Sequence, residues 1–130
     1  MLAVDTNVVV RYLVRDDEVQ LARATEIVEN SPIFVSPTVI LESEWVIRNS
    51  YGFSRSVVIG ALEALCGAPD VKVGEAAAVK RAFRLAERGL DFADALHLAQ
   101  AEGCEAFVTF DKGLAKKARE LDGVTVRLAD

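Results

Sequence analysis

The sequence predicts an α/β sandwich, a mostly parallel central sheet with helices on both faces, in a single domain over residues 1–130. Short apolar segments alternate along the chain with segments of helical spacing, which is typical of parallel strands joined by helices. The length also fits one domain with one core. The first apolar segment runs directly into Asp5. Because ligands bind at the carboxyl ends of parallel strands, this carboxylate predicts a functional site.

Five short apolar runs predict the strands, and they are residues 2–4, 33–35, 71–73, 106–110 and 124–128. The fourth run has the composition of a buried strand. It stops at Asp111 before a helix, as the first run stops at Asp5. We therefore expect two carboxylates in equivalent places, each at the end of a strand.

Seven segments predict helices, because their apolar residues recur at roughly helical spacing. They are residues 8–14 (a short helix or a turn), 18–29, 37–49, a segment that follows Ser54 and ends near Gly67 and Pro69, 75–88, 91–101 and 112–121. Asp17 and Ser36 precede two of these segments as N-caps, and Pro37 fits a first turn. Gly89 is expected to end the fifth helix.

Composition limits how the protein can act. Its 52% of hydrophobic residues and mean hydropathy of +0.23 are high for a small monomer and point to an interface with another chain. A net charge of −5, from 20 acidic and 15 basic residues, argues against a broad basic surface for nucleic acid. If the protein handles phosphates, a bound cation must therefore neutralise them.

Cysteine usage and hydropathy predict a cytoplasmic protein. Cys66 and Cys104 form no CxxC pair, so we expect two buried, reduced thiols rather than a zinc site or a disulfide. No apolar run approaches the roughly 18 to 20 residues of a membrane span. No basic region precedes the first apolar stretch, as it would in a signal peptide.

Four acidic residues from distant segments are candidate site residues: Asp5, Glu42, Asp94 and Asp111. For Asp5 and Asp111 the alternative is N-capping, which is worth ~1 kcal/mol. Glu42 lies on a helix that begins just beyond the second strand, so its carboxylate can reach the same end of the sheet. Glu44 instead has Arg48 four residues on, and we expect a solvated ion pair at the surface.

Asp94 is the acid that a structural role explains least well. Helical spacing puts it on the face of Leu98 and Ala101, and no Lys or Arg lies within one turn to pair with it. The alternative is a capping box formed with Asp91, although that box prefers Glu or Gln at the second position. We expect Asp91 to cap the helix and support the site, and Asp94 to need a cation or a proton.

Clustered carboxylates indicate metal chemistry. Like charges raise one another's pKa and oppose folding unless a counter-ion is present. Ligands that are all oxygen suit a hard divalent cation, Mg²⁺ or Mn²⁺, as one ion or two. Such an ion can bind a phosphate, lower the pKa of an attacking water and stabilise the leaving oxygen. The sequence therefore predicts hydrolysis of phosphodiester bonds.

Polar residues near these acids are candidate supporting groups. Asn7 and Thr109 each lie two residues from a strand-end acid and could hydrogen-bond a carboxylate or a water, with ordinary turn polarity as the alternative. His97 is expected to be a partly exposed helix residue. Arg11 and Lys112 are candidate contacts for an RNA backbone, with a solvated charged face as the alternative.

Four motifs together resemble a PIN-domain ribonuclease and, more closely, the VapC toxins of toxin–antitoxin pairs. They occur in order and at family-like spacing, and they are residues 3–13 (AVDTNVVVRYL), Leu41-Glu42, residues 91–96 (DFADAL) and Thr109-Phe110-Asp111. The resemblance implies a PIN-like three-layer sandwich and an endoribonuclease that uses Mg²⁺ or Mn²⁺. It implies as metal-binding and catalytic residues Asp5, Glu42, Asp94 and Asp111.

The resemblance also implies supporting residues and partners. Asn7 and Thr109 match family positions that help to organise the acidic pocket. VapC toxins are typically homodimers, and a protein antitoxin inhibits them by laying a segment into an apolar groove by the site. These partners would account for the surplus of apolar residues.

Other classes share part of the pattern. A haloacid-dehalogenase-like phosphatase also opens with a strand that ends in aspartate, but it needs a second acid two residues on, where this chain has Asn7. A non-catalytic, receiver-like or scaffold domain would bind Mg²⁺ for regulation, but its lysine would lie on a separate strand end, whereas Lys112 follows Asp111 directly. A PIN fold that serves only as a binding partner is the third alternative.

Overall fold

The computed structural model describes residues 1–121 and 123–130, and these residues contain five strands and seven helices. The strands are β1 (Leu2–Ala3), β2 (Ile33–Val35), β3 (Val71–Val73), β4 (Phe107–Thr109) and β5 (Val126–Leu128). The helices are α1 (Thr6–Val14), α2 (Glu18–Asn30), α3 (Pro37–Ser50), α4 (Arg55–Cys66), α5 (Ala76–Glu87), α6 (Phe92–Ala99) and α7 (Lys112–Ala118). Each strand pairing among them is parallel, as predicted.

The chain divides into two compact units, and the first is Met1–Ala76. Its three strands form a sheet in the order β1-β2-β3, with Leu2 opposite Ile33 and Val35 opposite Val73. α1 packs against α2 and α3, and α3 packs against α4. Ile33 and Val35 are fully buried, so the central strand β2 contributes to the core of this unit.

The second unit is Ala77–Asp130. Its two strands, β4 and β5, pair in parallel with Phe107 opposite Val126, and α7 packs against β5. The rings of Phe83 and Phe92 stack with their centroids 5.4 Å apart. Phe92 is fully buried, so α5 and α6 meet in an aromatic contact inside the core.

Short side chains begin several helices as the sequence predicts. Asp17, Ser36 and Ser54 each accept a hydrogen bond from the backbone N–H three residues on, at 3.0, 3.3 and 3.4 Å. Each bond satisfies an N–H that has no partner inside the helix. Gly89 follows α5 with φ at +106°, a conformation that glycine adopts without strain. The predicted caps at Asp17 and Ser36 and the stop at Gly89 are confirmed.

The prediction that Glu44 lies at the surface is wrong. Its ion pair with Arg48 forms, with Arg48 Nε 2.7 Å from Glu44 Oε2, but Glu44 is only 1% exposed. The reason is helical periodicity, since Glu44 lies four residues after Ile40 and three before Ile47, and both isoleucines are buried. Glu44 is therefore on the inward face of α3.

Two further predictions of burial are wrong. β4 is not a buried strand, because Val108 is half-exposed and Phe110, just beyond the strand, is 81% exposed. The alternation of its side chains is that of a strand with one solvent-facing side. Cys104 is exposed in the turn after α6, whereas Cys66 is half-buried. Burial, together with the charge of Glu63, raises the pKa of the Cys66 thiol to about 11, which disfavours the thiolate form.

Candidate functional site

Asp5 lies where β1 ends and α1 begins. Its Oδ1 accepts a hydrogen bond from the backbone N–H of Thr6 at 2.8 Å, and its carbonyl oxygen accepts one from the N–H of Val8 at 3.1 Å. Because Asp5 is the N-cap, α1 begins at Thr6, two residues before the predicted start. The Asp5 side chain is exposed and the cap uses one carboxylate oxygen. Capping and a role as a ligand are therefore compatible at this residue.

Thr6 links Asp5 to Glu42. While its backbone N–H binds the Asp5 carboxylate, its hydroxyl Oγ1 donates a hydrogen bond to Oε1 of Glu42. Thr6 is only 5% exposed, whereas both acidic side chains are exposed. Two of the candidate carboxylates thus share one buried donor residue at the carboxyl end of β1.

Sequence reasoning missed Thr6. The residue looks like an ordinary first-turn threonine, and its partner Glu42 lies 36 residues away in the sequence. The only local signal is a hydroxyl residue directly after a strand-end aspartate. Such a residue can bind two acids at once, one with its backbone and one with its side chain.

Asp111 begins α7 in the second unit. Its Oδ1 accepts a hydrogen bond from the backbone N–H of Leu114 at 3.0 Å, which is ordinary N-capping. Thr109 Oγ1 in turn accepts a hydrogen bond from the backbone N–H of Asp111 at 3.0 Å. Thr109 therefore fixes the turn that carries Asp111, and the contact is with the backbone rather than with the carboxylate. The Asp111 side chain is exposed.

Asp94 lies in the first turn of α6 and is half-buried. Partial burial raises the pKa of Asp94, and the negative charges of Asp91 and Asp111 raise this pKa further. Smaller contributions from His97 and Lys117 lower it. The second unit therefore holds three carboxylates whose charges repel one another, and ionised Asp94 carries an energetic cost there.

Asp91 occupies the N-cap position of α6, but its side chain makes no capping hydrogen bond. The expected side-chain cap, and with it the capping box with Asp94, is therefore wrong. Only the Asp91 carbonyl supports the helix, by accepting a hydrogen bond from the N–H of Ala95 at 2.8 Å. To cap the helix, the Asp91 carboxylate would have to accept a hydrogen bond from a backbone N–H in the first turn of α6. The Asp91 carboxylate instead acts electrostatically on Asp94.

Replacing Asp94 by Asn is expected to stabilise the metal-free protein at neutral pH. A pKa raised on folding means that ionised Asp94 destabilises the native state, and that this cost disappears as the pH falls through the folded-state pKa toward the ordinary value of 3.8. The melting temperatures of wild type and Asp94→Asn should therefore converge at acidic pH. Saturating Mg²⁺ should reverse the order at neutral pH by stabilising the wild type more. A variant that is less stable without metal would instead show that Asp94 has a structural role.

Four candidates remain, and they are Asn7, His97, Lys112 and Arg11. Asn7 is exposed and lines a cavity between α1 and α2. His97 is exposed, as expected, and stacks on Phe107 with a centroid distance of 6.4 Å. Lys112 is exposed at the start of α7, and Arg11 is half-buried on α1.

Over residues 1–121 and 123–130, no group of three or more His, Cys, Asp or Glu side chains is arranged to hold a metal ion. The chemistry of the donors still fits a hard divalent cation, because the exposed or half-buried acids present only oxygen atoms. In the second unit a cation would also relieve the repulsion that raises the pKa of Asp94. None of the described helices is long and apolar enough to cross a membrane.

The PIN domain model matches residues 2–120 of this chain. Since the match covers most of the sequence, the protein belongs to the PIN-domain family, and the predicted PIN-like α/β sandwich is confirmed. PIN domains are generally nucleases, generally use Mg²⁺ or Mn²⁺, and act on nucleic acid. The match gives no support to the phosphatase or to the regulatory Mg²⁺-binding domain. A comparison with curated proteins found no match.

Proposed function

We propose that this protein is an Mg²⁺- or Mn²⁺-dependent endoribonuclease that hydrolyses phosphodiester bonds in RNA, and that it is the toxin of a type II toxin–antitoxin pair. The observation that carries the proposal is the link from Asp5 through Thr6 to Glu42 in a chain that matches the PIN domain. We assign both metal binding and catalysis to Asp5, Glu42, Asp94 and Asp111.

The bound cation would activate the attacking water and stabilise the charge on the phosphate. The protein's own contribution is to orient its carboxylates. Thr6 orients Glu42 by hydrogen bonding, and Thr109 fixes the backbone that carries Asp111. A cation competes with a proton for the Asp94 carboxylate. Because the pKa of Asp94 is raised, metal binding should begin to weaken at a higher pH, as the pH is lowered, than it would at an ordinary aspartate.

The proposal includes one PIN domain over residues 1–130 that works in the cytoplasm. The single domain is supported by the continuous family match over residues 2–120. The cytoplasmic location is supported by the free thiols of Cys66 and Cys104, which suit a reducing compartment.

A homodimer is the assembly we propose. Three large apolar side chains are exposed on α3, on α4 and in the loop between them: Trp45 is 56% exposed, Phe53 42% and Val57 56%. α3 and α4 pack against each other, so the three side chains lie on two neighbouring helices and the loop that joins them. Exposed apolar and aromatic side chains of this size favour burial against another chain.

A second apolar surface supports an antitoxin partner. A cavity of about 530 Å³ in the first unit is lined mainly by apolar side chains of α1, α2 and α4, among them Leu13, Val28 and Leu65. It reaches Val71 at the start of β3, so it is not beside the strand end that carries Asp5. A groove between helices is a common receptor for an amphipathic segment of another protein. We expect a small open reading frame directly upstream to encode that inhibitor.

The proposal is tested with protein freed of any co-purified partner and incubated with structured RNA, DNA and para-nitrophenyl phosphate, in Mg²⁺ or in EDTA. We expect cleavage of RNA that requires the metal. Asp5→Asn, purified in the same way, controls for contaminating nucleases and should lose about 100-fold or more of this activity. Hydrolysis of para-nitrophenyl phosphate alone would instead identify a phosphatase, and no hydrolysis at all would favour a binding role.

Replacing Thr6 by Val is expected to lower kcat/KM on RNA by about 10- to 100-fold, the usual effect of losing a residue that orients a metal ligand. Valine has nearly the same shape but cannot donate a hydrogen bond to Glu42. The matched variant Thr6→Ser keeps the hydroxyl and should retain most activity. If Thr6→Val retained as much activity as Thr6→Ser, Thr6 would not orient Glu42 for catalysis.

A further inference from the structure

The cavity between α1 and α2 has a volume of about 300 Å³, at the lower end of the range for ligand pockets. It lies wholly within the first unit. We call it the α1–α2 cavity, and it is lined by Asn7, Val8, Arg11, Gln20, Arg23, Ala24 and Ile27.

The polar lining of this cavity is unusual for a chain with a net charge of −5. Two guanidinium groups, from Arg11 and Arg23, line it together with the amides of Asn7 and Gln20, and none of the described lining residues is acidic. Arg23 is exposed and makes no hydrogen bond or ion pair with any described residue. Its donors can therefore bind an anion without first giving up a partner.

Arg11 is held in position. Its Nη1 donates hydrogen bonds to the Tyr51 hydroxyl at 3.0 Å and to Oδ1 of Asp16 at 3.3 Å, and the residue is half-buried. An arginine carries five N–H donors, so these contacts on one nitrogen leave others to face the cavity. An immobilised guanidinium loses less conformational entropy when it binds a ligand.

The apolar part of the cavity is made by Val8, Ala24 and Ile27. An apolar surface beside amide groups suits a nucleobase, which can be buried against aliphatic carbon while Asn or Gln hydrogen-bonds its edge. The guanidinium groups suit a phosphate. An acidic peptide would also use the guanidinium groups, so it is the competitor against which the nucleotide is tested.

We propose that the α1–α2 cavity binds one nucleotide of the RNA substrate, with its phosphate on Arg11 and Arg23 and its base against Val8 and Ile27. This inference rests on the proposed function. Asn7 lies two residues after Asp5, so the bound nucleotide would adjoin the strand end that carries the proposed metal ligand. Since Arg11 is paired with Asp16, the uncompensated positive charge in the cavity would be that of Arg23.

The test is equilibrium binding of a fluorescein-labelled single-stranded RNA, followed by anisotropy in EDTA and in Ca²⁺ over a series of salt concentrations. We expect Arg23→Gln to bind about 5- to 10-fold more weakly. Its negative slope of log K against log salt should become shallower by about 0.7, the value for one lost phosphate contact on a single strand. Arg84→Gln is the matched control, since Arg84 is an exposed helix arginine outside the cavity, and it should keep both the affinity and the slope of the wild type.

Because no cleavage is needed, this measurement separates the cavity from the catalytic proposal. A protein that binds RNA through Arg23 but never cleaves it would refute the nuclease and leave the nucleotide site. Equal affinity and slope in Arg23→Gln and Arg84→Gln would overturn the nucleotide site even in an active nuclease. It would also be overturned if the wild type bound no RNA in either solution, or if a polyglutamate peptide competed as well as unlabelled RNA.

Discussion

Replacing Asp94 by Asn is expected to reduce RNA cleavage by about 100-fold or more. Losing a residue that only supports a metal ligand costs about 10- to 100-fold, and losing a ligand itself should cost at least as much. The substitution keeps the shape of the side chain but removes the negative charge that would attract the cation. Asp5→Asn should have the same effect, and its amide oxygen can still accept the hydrogen bond from the N–H of Thr6. The measurement is kcat/KM on one RNA at saturating Mg²⁺.

A matched control is Glu87→Gln, which removes an exposed carboxylate from α5 outside the site and should leave cleavage unchanged. Circular dichroism and thermal unfolding must show that all variants are folded. Cleavage at the wild-type rate in both Asp5→Asn and Asp94→Asn would exclude the proposed site. Unfolding of either variant would point to a structural role of that carboxylate.

Replacing Arg48 by Ala is expected to lower the free energy of unfolding by about 3 kcal/mol, the cost of leaving one partner of a buried ion pair uncompensated. Glu44 is 1% exposed, and Arg48 donates to it from both Nε (2.7 Å) and Nη2 (3.2 Å). Without the guanidinium, a charged carboxylate would remain in the core of the first unit. Urea denaturation of wild type and variant measures the difference.

The control is the double variant Glu44→Leu, Arg48→Met, which replaces both charges by apolar groups of similar size. It should recover much of the loss, because neither partner is left buried and charged. If Arg48→Ala costs less than about 1 kcal/mol, the pair behaves as an ordinary surface salt bridge. That result would contradict the burial of Glu44.

Local chemistry predicted most of the secondary structure. The bounds of β2 and β3 match the predicted runs, because short apolar segments between turn residues define strands without reference to the rest of the chain. The starts of α2 and α3 follow from Asp17 and Ser36, whose side chains act on residues three positions away. The helix ends near residues 99 and 118 come earlier than predicted, since periodicity defines a helix end poorly.

Long-range packing explains what the sequence did not reveal. The spacing of Glu44 and Arg48 predicts their ion pair correctly, but it does not say which face of α3 meets the core. Thr6 could be recognised as part of the candidate site only from its hydrogen bond to Glu42, which belongs to another helix. The candidate acids could be identified in the sequence from their positions at strand ends and on helix faces. Their hydrogen-bond partners could not, because these depend on tertiary structure.

The central claim is that Asp5, Glu42, Asp94 and Asp111 bind a hard divalent ion, and crystals grown with Mn²⁺ test it most directly through the anomalous scattering of the metal. We predict an anomalous peak at about 2.1 Å from carboxylate oxygens of Asp5 and Asp94, the distance at which small hard cations bind oxygen. Crystals without such a peak at saturating Mn²⁺, or with the ion bound by other residues, would contradict the claim.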